Sequence, residues 1–383
     1  MVKQWLIKQR AKGQLLQAFK AGEIGIPHKT GEQRLFRYPR INDIRFNYER
    51  KTLTYVFTLP YGVDPRLLKK KEYVFQQFFS QNIEIKGDIK TFTLTVFVAP
   101  LPKNVKYDYK EMGLKGKLPI PVGMDANGVF YYYDMVKNPH LLIAGETGSG
   151  KSTQNRSIIT SLIQTLSSEN LELYLCDLKL GDFHIFRKVE HVKAFDTEAV
   201  TLLRTLKYLK KVMKQRGKLL LKYEVSHIDD VPEKTPYIIL AIDEVALLKK
   251  EKDCMEMVEE ISSIGRALGV FLILSMQRPD AKLLDGKLKI NLTVRMAFRC
   301  TDGINSRIVI DRGGAEKLDN VGRMLLKIQS ERELKELQAP YLDIEDAKKI
   351  LEPYKTQREE SILEEEIEPL EDEVEWEWGE LDE

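Results

Sequence analysis

A glycine-rich segment near the middle of this 383-residue chain has the residue types that hold phosphate groups. It reads G-E-T-G-S-G-K-S, which fits the pattern G-x-x-x-x-G-K-S, with an apolar run before it and a helical pattern after it. Glycine tolerates positive φ, so backbone N–H groups can converge on phosphate oxygens, and the amino end of a helix attracts negative charge. The pattern predicts a P-loop that binds ATP through Gly145, Glu146, Thr147, Gly148, Ser149, Gly150, Lys151, Ser152 and Thr153.

The last two residues of the pattern have separate predicted tasks. The Lys151 ammonium is expected to contact the β- and γ-phosphates, and the Ser152 hydroxyl is expected to bind Mg²⁺. An ordinary glycine turn is the alternative interpretation, and the strand and helix on either side of the pattern disfavour it. The five histidines follow no zinc-ligand spacing, so any metal is expected to arrive with the nucleotide.

Two adjacent carboxylates follow another apolar run, Y-I-I-L-A-I, and complete the predicted hydrolytic chemistry. Asp243 is expected to support the Mg²⁺ shell, and Glu244 is expected to polarise the attacking water as a general base. Two acids after an apolar run are common, so this interpretation depends on the P-loop upstream. Gln277 ends a third apolar run and is a candidate sensor of the γ-phosphate, although a plain strand-terminating turn has the same appearance.

Two arginines are candidates for contacting the γ-phosphate held by a neighbouring subunit. Arg295 lies in a strand-like run, and Arg307 lies in the segment N-S-R-I-V-I-D. Either guanidinium could neutralise charge in the transition state, but each alone is more typical of a surface salt bridge. Asp177 and Lys179 are similarly ambiguous between switch elements and a paired surface charge.

The elements that must position these side chains alternate between apolar strand-like runs and helical patterns over residues 119–328. The strand-like runs lack strict polar alternation, which is typical of strands buried on two faces. This pattern predicts an α/β fold, a mainly parallel sheet of the RecA-like P-loop class. The strand candidates are Leu141–Ala144, Leu171–Cys176, Tyr237–Ile242, Val270–Ser275 and Thr293–Phe298.

A smaller unit is predicted before the P-loop domain. Ile44, Phe46 and Tyr48 alternate with polar residues, as do the residues of 53–59, 83–85 and 92–98, and a helix is expected after Asp64. We therefore expect a helical and polar segment over 1–40, a small α+β domain over 41–102, the RecA-like P-loop domain over 103–351 and an acidic tail over 352–383.

Charge is divided unevenly along the chain. Residues 352–383 hold 15 acidic and two basic side chains, whereas residues 1–351 carry a net charge of +15. A basic body is typical of a polyanion binder, with a surface kept basic for solubility as the alternative. The tail is expected to be disordered and either to mimic DNA phosphates, to anchor a partner through its tryptophans, or only to aid solubility.

Composition excludes several classes of protein. No apolar run is long enough to span a membrane, and the charged N-terminal segment does not resemble a secretory signal. Cys176, Cys254 and Cys300 are far apart in apolar surroundings, as expected of reduced core residues. The sequence predicts a soluble, cytoplasmic protein.

Together these motifs resemble those of the FtsK/SpoIIIE DNA translocases. The resemblance rests on four segments in the family's order, P-H-L-L-I-A-G-E-T-G-S-G-K-S, I-D-E-V-A, S-M-Q-R-P and N-S-R with D-R-G-G-A-E. It implies a homohexameric motor around double-stranded DNA, with Lys151 and Ser152 on phosphate and Mg²⁺ and with Asp243 and Glu244 in hydrolysis. It also implies that Gln277 is a sensor and that Arg295 and Arg307 are trans-acting or pore-side arginines, without saying which is which.

Unlike the chromosomal members of that family, the chain is expected to have no membrane anchor and no winged-helix sequence reader. It resembles instead the short proteins of plasmids and integrative elements. An alternative function is therefore a conjugative coupling protein that pumps single-stranded DNA attached to a relaxase, with a relaxase or replication protein bound through the acidic tail. A third is a nucleotide-switched scaffold.

Overall fold

The computed structural model describes residues 2–30, 33–47, 52–80, 82–97, 101–284 and 286–356. The chain forms two compact units, one of residues 1–105 with 123–131 and one of residues 106–122 with 132–383. Tyr48, Val98 and most of the acidic tail, which were assigned roles in the sequence analysis, lie outside the described residues.

In its described residues, the first unit combines helices with two antiparallel sheets. A four-stranded sheet has the order β3-β4-β6-β5, and β1 pairs with β2. Its helices are α1 (Val2–Ala21), α2 (Arg66–Lys70) and α3 (Glu72–Phe78). Its strands are β1 (Ile26–Thr30), β2 (Gln33–Arg37), β3 (Arg40–Asn47), β4 (Thr52–Thr58), β5 (Ile83–Gly87) and β6 (Thr91–Phe97).

The alternating pattern predicted the sheet of this unit correctly. Ile44 lies opposite Tyr55 in the antiparallel pair of β3 and β4, as expected of the first hairpin. The helix expected after Asp64 is divided in two at Lys71, which has φ −104° and ψ 17°. The Asp64 carboxylate accepts a hydrogen bond from the Arg66 N–H at 2.9 Å, so it does satisfy an amide at the start of that helix.

Helix α1 belongs to the core of the same unit. Leu15 and Phe19 are completely buried, and the Phe19 ring lies edge-on to the Phe57 ring of β4 with 5.0 Å between their centroids. Because its apolar side chains are buried against the sheet, α1 is stabilised by packing and extends over 20 residues of the segment that was expected to be helical and polar.

From residue 105 onward the chain builds a large sheet with helices packed against it. The helices are α4 (Lys151–Thr165), α5 (Ala199–Tyr223), α6 (Lys252–Ile264), α7 (Gly286–Asn291), α8 (Gly303–Ile310) and α9 (Ile344–Leu351). The strands are β7 (Val105–Lys106), β8 (Pro119–Met124), β9 (Phe130–Asp134), β10 (Leu141–Ala144), β11 (Leu171–Asp177), β12 (Val192–Asp196), β13 (Tyr237–Asp243), β14 (Val270–Met276), β15 (Val294–Phe298), β16 (Arg323–Ile328), β17 (Lys335–Gln338) and β18 (Pro340–Tyr341).

Among the described residues the large sheet has ten strands in the order β12-β11-β13-β14-β10-β15-β16-β17-β8-β9. The first six strands in this order, from β12 through β10 to β15, run parallel, whereas β16 is antiparallel to β15 and β17 is antiparallel to β16. All residues of β14 are buried, and successive side chains point to opposite faces, so the sheet is covered on both sides. The predicted α/β fold with a mainly parallel sheet is confirmed, and each predicted strand agrees with an observed one within one residue.

The predictions about the cysteines and about membrane-spanning segments can be compared with the described residues. Cys176, Cys254 and Cys300 are free and buried, and burial raises the pKa of each thiol. In the part of the chain that the structure describes, no helix combines the length and apolar character needed to cross a bilayer.

Candidate nucleotide-binding site

The predicted site lies where several parallel strands end. In the register of the sheet, Ala144 at the end of β10 pairs with Met276 of β14, and Asp177 of β11 pairs with Asp243 of β13. The carboxyl ends of β10, β11, β13 and β14 therefore share one edge. Ligands of open α/β sheets bind at this edge, where loops leave adjacent strands.

The P-loop connects β10 to α4 in a conformation that only glycine adopts without strain at three positions. Gly145 has φ 154°, Gly148 has φ 76° and Gly150 has φ 111°. A Cβ atom at Gly145 would lie 2.7 Å from the Phe298 Cβ, and one at Gly150 would lie 2.8 Å from the Gly322 nitrogen. The loop thus needs glycine both for its dihedral angles and for the close approach of neighbouring backbone.

Hydrogen bonds fix this loop against the next strands. The Glu146 N–H donates to the Arg299 carbonyl at 2.8 Å, and the Glu146 carboxylate forms an ion pair with the Arg299 guanidinium. The Ser149 hydroxyl donates to the Glu146 carbonyl at 2.7 Å, while the Ser149 carbonyl accepts from the Gly322 N–H at 2.9 Å. The phosphate cradle is therefore preorganised by the protein itself.

Lys151 begins α4 and is nearly buried under the loop. Its ammonium donates to the carbonyls of Gly145 at 2.6 Å and Glu146 at 3.1 Å. Burial lowers the pKa of Lys151, and the nearby carboxylates of Glu244 and Asp243 act in the opposite direction. A buried ammonium bound only by neutral carbonyls lacks a close counterion, which phosphate oxygens would provide.

The residues beside Lys151 also fit a nucleotide. Ser152 and Thr153 are half-buried in the first turn of α4, and the Thr147 hydroxyl donates to the Gln277 side-chain oxygen at 3.1 Å. No group of three or more His, Cys, Asp or Glu side chains in the described ranges could hold a metal on its own. Mg²⁺ usually binds through one or two protein oxygens plus phosphates and water, which is what Ser152 and Asp243 offer.

Asp243 ends β13 and is buried among other acids. Burial, followed by the charges of Asp182, Asp177 and Glu244, raises the pKa of Asp243 to about 7, while Lys179 acts in the opposite direction. A carboxyl group in this environment gains from a nearby cation. This is the electrostatic situation expected of a ligand to Mg²⁺.

Glu244 follows in a left-handed conformation, φ 57° and ψ 59°, which is uncommon for a residue other than glycine. Its carboxylate accepts hydrogen bonds from the Gln277 N–H at 3.1 and 3.2 Å and from the Lys179 ammonium at 2.7 Å. Glu244 is 6% exposed. The structure therefore brings together the predicted base and the predicted sensor, and it links both to Lys179.

The loop after β11 places Lys179 in this arrangement. The buried Asp177 carboxylate accepts from the backbone N–H groups of Gly181 and Asp182 at 3.1 Å and of Phe183 at 2.9 Å. Three amides on one carboxylate hold the loop that carries Lys179. The sequence analysis left these two residues ambiguous, and the signal that distinguishes them is their position after a buried strand next to β13 in the sheet.

Arg295 is not brought to this site in the protomer. It pairs with Leu142 across β10 and β15, toward the opposite end of the strands, and it is 7% exposed. Its guanidinium donates to the Lys289 carbonyl at 2.7 Å, to the Leu292 carbonyl at 3.1 Å and to the Asp311 carboxylate at 2.8 Å. These contacts give Arg295 a structural task, and its predicted trans-acting role remains a prediction.

Arg307 is placed differently. It lies in α8, where its side chain is exposed, and among the described residues it forms no ion pair. The helix that carries it begins at a well-formed cap, since the Asp302 carboxylate accepts from the N–H groups of Ile304 and Asn305 at 2.8 Å. Arg307 is therefore a free cation on an ordered helix, available to another molecule.

Comparison with known proteins agrees with the geometry of the site. The family model described as "FtsK/SpoIIIE family" matches residues 109–246, a range that contains the P-loop, Asp243 and Glu244. This range is an FtsK/SpoIIIE family domain. The FtsK/SpoIIIE resemblance of the sequence motifs is thereby confirmed, and the fold around the site is that of the P-loop ATPases.

The FtsK/SpoIIIE match extends to curated relatives. DNA translocase FtsK of Helicobacter pylori strain J99 is 33% identical over 253 residues, which are 63% of this chain and 30% of that protein. DNA translocase FtsK of Lactococcus lactis subsp. cremoris is 28% identical over 303 residues, 73% of this chain and 40% of that protein. The chain thus spans less than half the length of these relatives.

Two solved structures share the fold over two thirds of the chain or more. The conjugation coupling protein TcpA of pCW3, in a monomer form with ATPγS, is 25% identical with a TM-score of 0.62, and the match covers 90% of this chain and 99% of TcpA. The cytoplasmic domain of the type VII secretion ATPase EccC of Thermomonospora curvata is 28% identical with a TM-score of 0.57. That match covers 67% of this chain and 32% of the solved EccC chain.

Proposed function

We propose that this chain is an ATP-driven motor that moves along double-stranded DNA as a homohexameric ring. The observation that carries the proposal is the convergence of Lys151, Asp243, Glu244 and Gln277 at one sheet edge inside an FtsK/SpoIIIE domain. ATP is a cytoplasmic substrate, so the motor is proposed to work in the cytoplasm.

Each side chain has one task in this proposal. Lys151 and the P-loop amides bind the β- and γ-phosphates, and Ser152 with Asp243 holds Mg²⁺, which neutralises the charge of the phosphates. Glu244 accepts a proton from the attacking water. Gln277 donates its backbone N–H to Glu244 and accepts a hydrogen bond from Thr147 through its side chain, so it connects the base to the P-loop.

DNA is the proposed track because the body of the protein is basic and its relatives are DNA translocases. Residues 1–351 carry a net charge of +15. A positive surface concentrates a polyanion and makes its binding depend on salt. In a ring, the exposed Arg307 would meet either DNA or the nucleotide of the next protomer.

The test is ATP hydrolysis with and without duplex DNA at a fixed salt concentration. Duplex DNA should stimulate turnover, Lys151→Ala should lose nucleotide affinity and turnover, and Glu244→Gln should keep nucleotide binding while losing turnover at least about a hundredfold. Lys349→Ala, an exposed lysine on α9, serves as the matched control. A folded protein whose hydrolysis ignores DNA, or a Glu244→Gln variant with normal turnover, would contradict the proposal.

A second candidate is a conjugative coupling protein, which pumps relaxase-linked single-stranded DNA. The observation that favours it is the match to TcpA over nearly the whole of both chains, whereas the two FtsK relatives are matched over only 30% and 40% of their length. Competition between single- and double-stranded DNA of equal length at matched salt separates the two candidates. Stronger stimulation by the single strand would favour the coupling function.

A further inference from the structure

Helix α5 has an unusual charge composition for its length. Its 25 residues include eight lysines and arginines and no acidic residue. Arg216 is buried, where it donates to the Leu268 and Pro236 carbonyls at 2.7 Å, and Lys210 and Lys222 form ion pairs with Glu260 and Glu233. The other five cations, called here the basic stripe, are Arg204, Lys207, Lys211, Lys214 and Lys218.

The basic stripe is a continuous exposed surface. Its members are spaced three or four residues apart, so they lie on one side of the helix, opposite the buried Leu202, Leu206 and Leu209. All five side chains are exposed, and none forms an ion pair with any residue that the structure describes. The stripe is therefore free to bind an anionic partner.

Physical chemistry indicates that this arrangement costs stability. Lysines four residues apart on a helix repel each other by roughly 0.2–0.5 kcal/mol per pair, and Lys207 with Lys211 and Lys214 with Lys218 are such pairs. The first turn of α5 contains no acid, and the side chain of its N-cap residue, Glu198, forms no capping hydrogen bond. A helix without these stabilising features is consistent with a surface shaped for binding.

The described part of the chain ends at Thr356, close to β12, the outermost strand of the large sheet, on which α5 packs. The Thr356 N–H donates to the Lys188 carbonyl at 2.9 Å, and Lys355 pairs with Val189 as an antiparallel bridge. Residue 192 then begins β12, the edge strand on which α5 packs. Residues 357–383 can extend at most about 90 Å, whereas α5 is about 37 Å long, so they can reach every part of the stripe.

We propose that residues 357–383, the acidic segment, bind along the basic stripe of α5. The segment contains 14 acidic residues and one arginine, which complements five unpaired cations. Its apolar residues, among them Trp376 and Trp378, would meet the exposed side chains beside the stripe, Tyr208 at 41% and Leu221 at 80% exposure. DNA is the other polyanion that could occupy the stripe, but only the acidic segment is covalently held beside it.

The direct test is chemical crosslinking of carboxylates to lysines in the full chain. A carbodiimide forms amide crosslinks only between groups in contact, so mass spectrometry should find residues 357–383 crosslinked to Lys207, Lys211 or Lys214. The yield should fall several-fold at about 0.5 M salt, where screening acts within a few ångströms. Absence of such crosslinks, or crosslinks of the segment to lysines elsewhere, overturns the proposal.

A variant pair gives an independent measurement. The triple variant Lys207→Gln, Lys211→Gln and Lys214→Gln should at least double acrylamide quenching of tryptophan emission, because two of the three tryptophans lie in the acidic segment. The control changes three exposed lysines elsewhere, Lys69→Gln, Lys70→Gln and Lys110→Gln, and should leave quenching unchanged. Unchanged quenching in the stripe variant together with weaker DNA binding than the control would assign the stripe to DNA instead and sink the proposal.

Discussion

Asp243 shows how the chemistry of one residue can oppose the stability of the fold. Burial and the neighbouring carboxylates raise its pKa from 3.8 to about 7, so the folded protein favours the protonated form when no cation is bound. An acidic group whose pKa is higher in the folded state than in the unfolded state stabilises the protein at low pH. That contribution is lost as the pH rises through the folded pKa. Asp243 should therefore weaken the nucleotide-free protein above about pH 7.

We expect Asp243→Asn to raise the free energy of unfolding at pH 8, by up to about 4 kcal/mol if the whole pKa difference is recovered. The gain should shrink as the pH falls toward 4, because the folded Asp243 is then protonated and only about half of the unfolded residue is still ionised. Denaturant unfolding at both pH values without nucleotide or Mg²⁺ measures it. Asp280→Asn is the control, because the ion pair with Lys249 lowers the pKa of Asp280 and its removal should not stabilise the protein. An Asp243→Asn protein no more stable than wild type at pH 8 would contradict this account.

Single residues also mark the limit of what the sequence could predict. The sequence could predict that four features converge, because each follows an apolar run and parallel strands end at one edge of the sheet. These features are the P-loop, Asp243, Glu244 and Gln277. The pairing of Lys179 with Glu244 was not predictable, because it joins residues 65 positions apart through side-chain geometry. The burial of Arg295 was also hidden, since a strand-like run does not reveal which neighbours surround its charged member.

At the scale of elements, the glycine that precedes α4 and a glycine inside α5 have opposite requirements. Gly150 has φ 111°, and its Cα lies so close to Gly322 that a Cβ would meet the Gly322 nitrogen at 2.8 Å. Gly217 lies inside α5, and a Cβ there would meet nothing within 4 Å. The first glycine shapes the phosphate loop, whereas the second only adds flexibility to the unfolded chain.

Alanine at these positions should therefore have opposite effects. Gly150→Ala should destabilise the protein by about 1–3 kcal/mol and weaken nucleotide binding, because it forces a side chain into a strained conformation. Gly217→Ala should stabilise it by about 0.5–1 kcal/mol and leave nucleotide binding unchanged. Thermal unfolding and calorimetric titration with ATP measure both, and the account fails if Gly150→Ala binds ATP as wild type does.

Elements with long apolar runs were the predictable part of the fold. Strands such as β13 and β14 are buried on both faces, and their runs are visible in the sequence. The antiparallel strands β16 and β17 were not assigned, because direction within a sheet depends on the connections and not on the hydrophobic pattern. The division of the helix at Lys71 likewise has no marker such as proline or glycine at that residue.

For the whole molecule, the proposed ring requires that one protomer complete the site of another. Arg295 is buried by contacts within its own protomer, including Asp311, whereas the guanidinium of Arg307 is exposed. The two arginines should therefore have different effects on stability and on ATP hydrolysis when each is changed to alanine. Charge is a second property of the whole molecule, since the basic body attracts both the acidic end of the same chain and DNA.

Arg295→Ala should destabilise the protein by about 1–3 kcal/mol, because it removes the donor to three carbonyls around the buried guanidinium and the ion pair with the partly exposed Asp311. Arg307→Ala should change stability by no more than about 0.5 kcal/mol yet lower DNA-stimulated hydrolysis at least about tenfold. Thermal unfolding and ATPase assays separate these effects.

Mixing variants then tests whether Arg307 acts between protomers. A Lys151→Ala protomer cannot hydrolyse ATP but presents an intact Arg307, and an Arg307→Ala protomer has an intact P-loop. Mixed assemblies should hydrolyse ATP faster than either variant alone, since the first protomer would supply the missing guanidinium to the second. Absence of recovery at any mixing ratio, with assembly confirmed by light scattering, would show that Arg307 does not complete a neighbour's site and would direct attention to its contact with DNA.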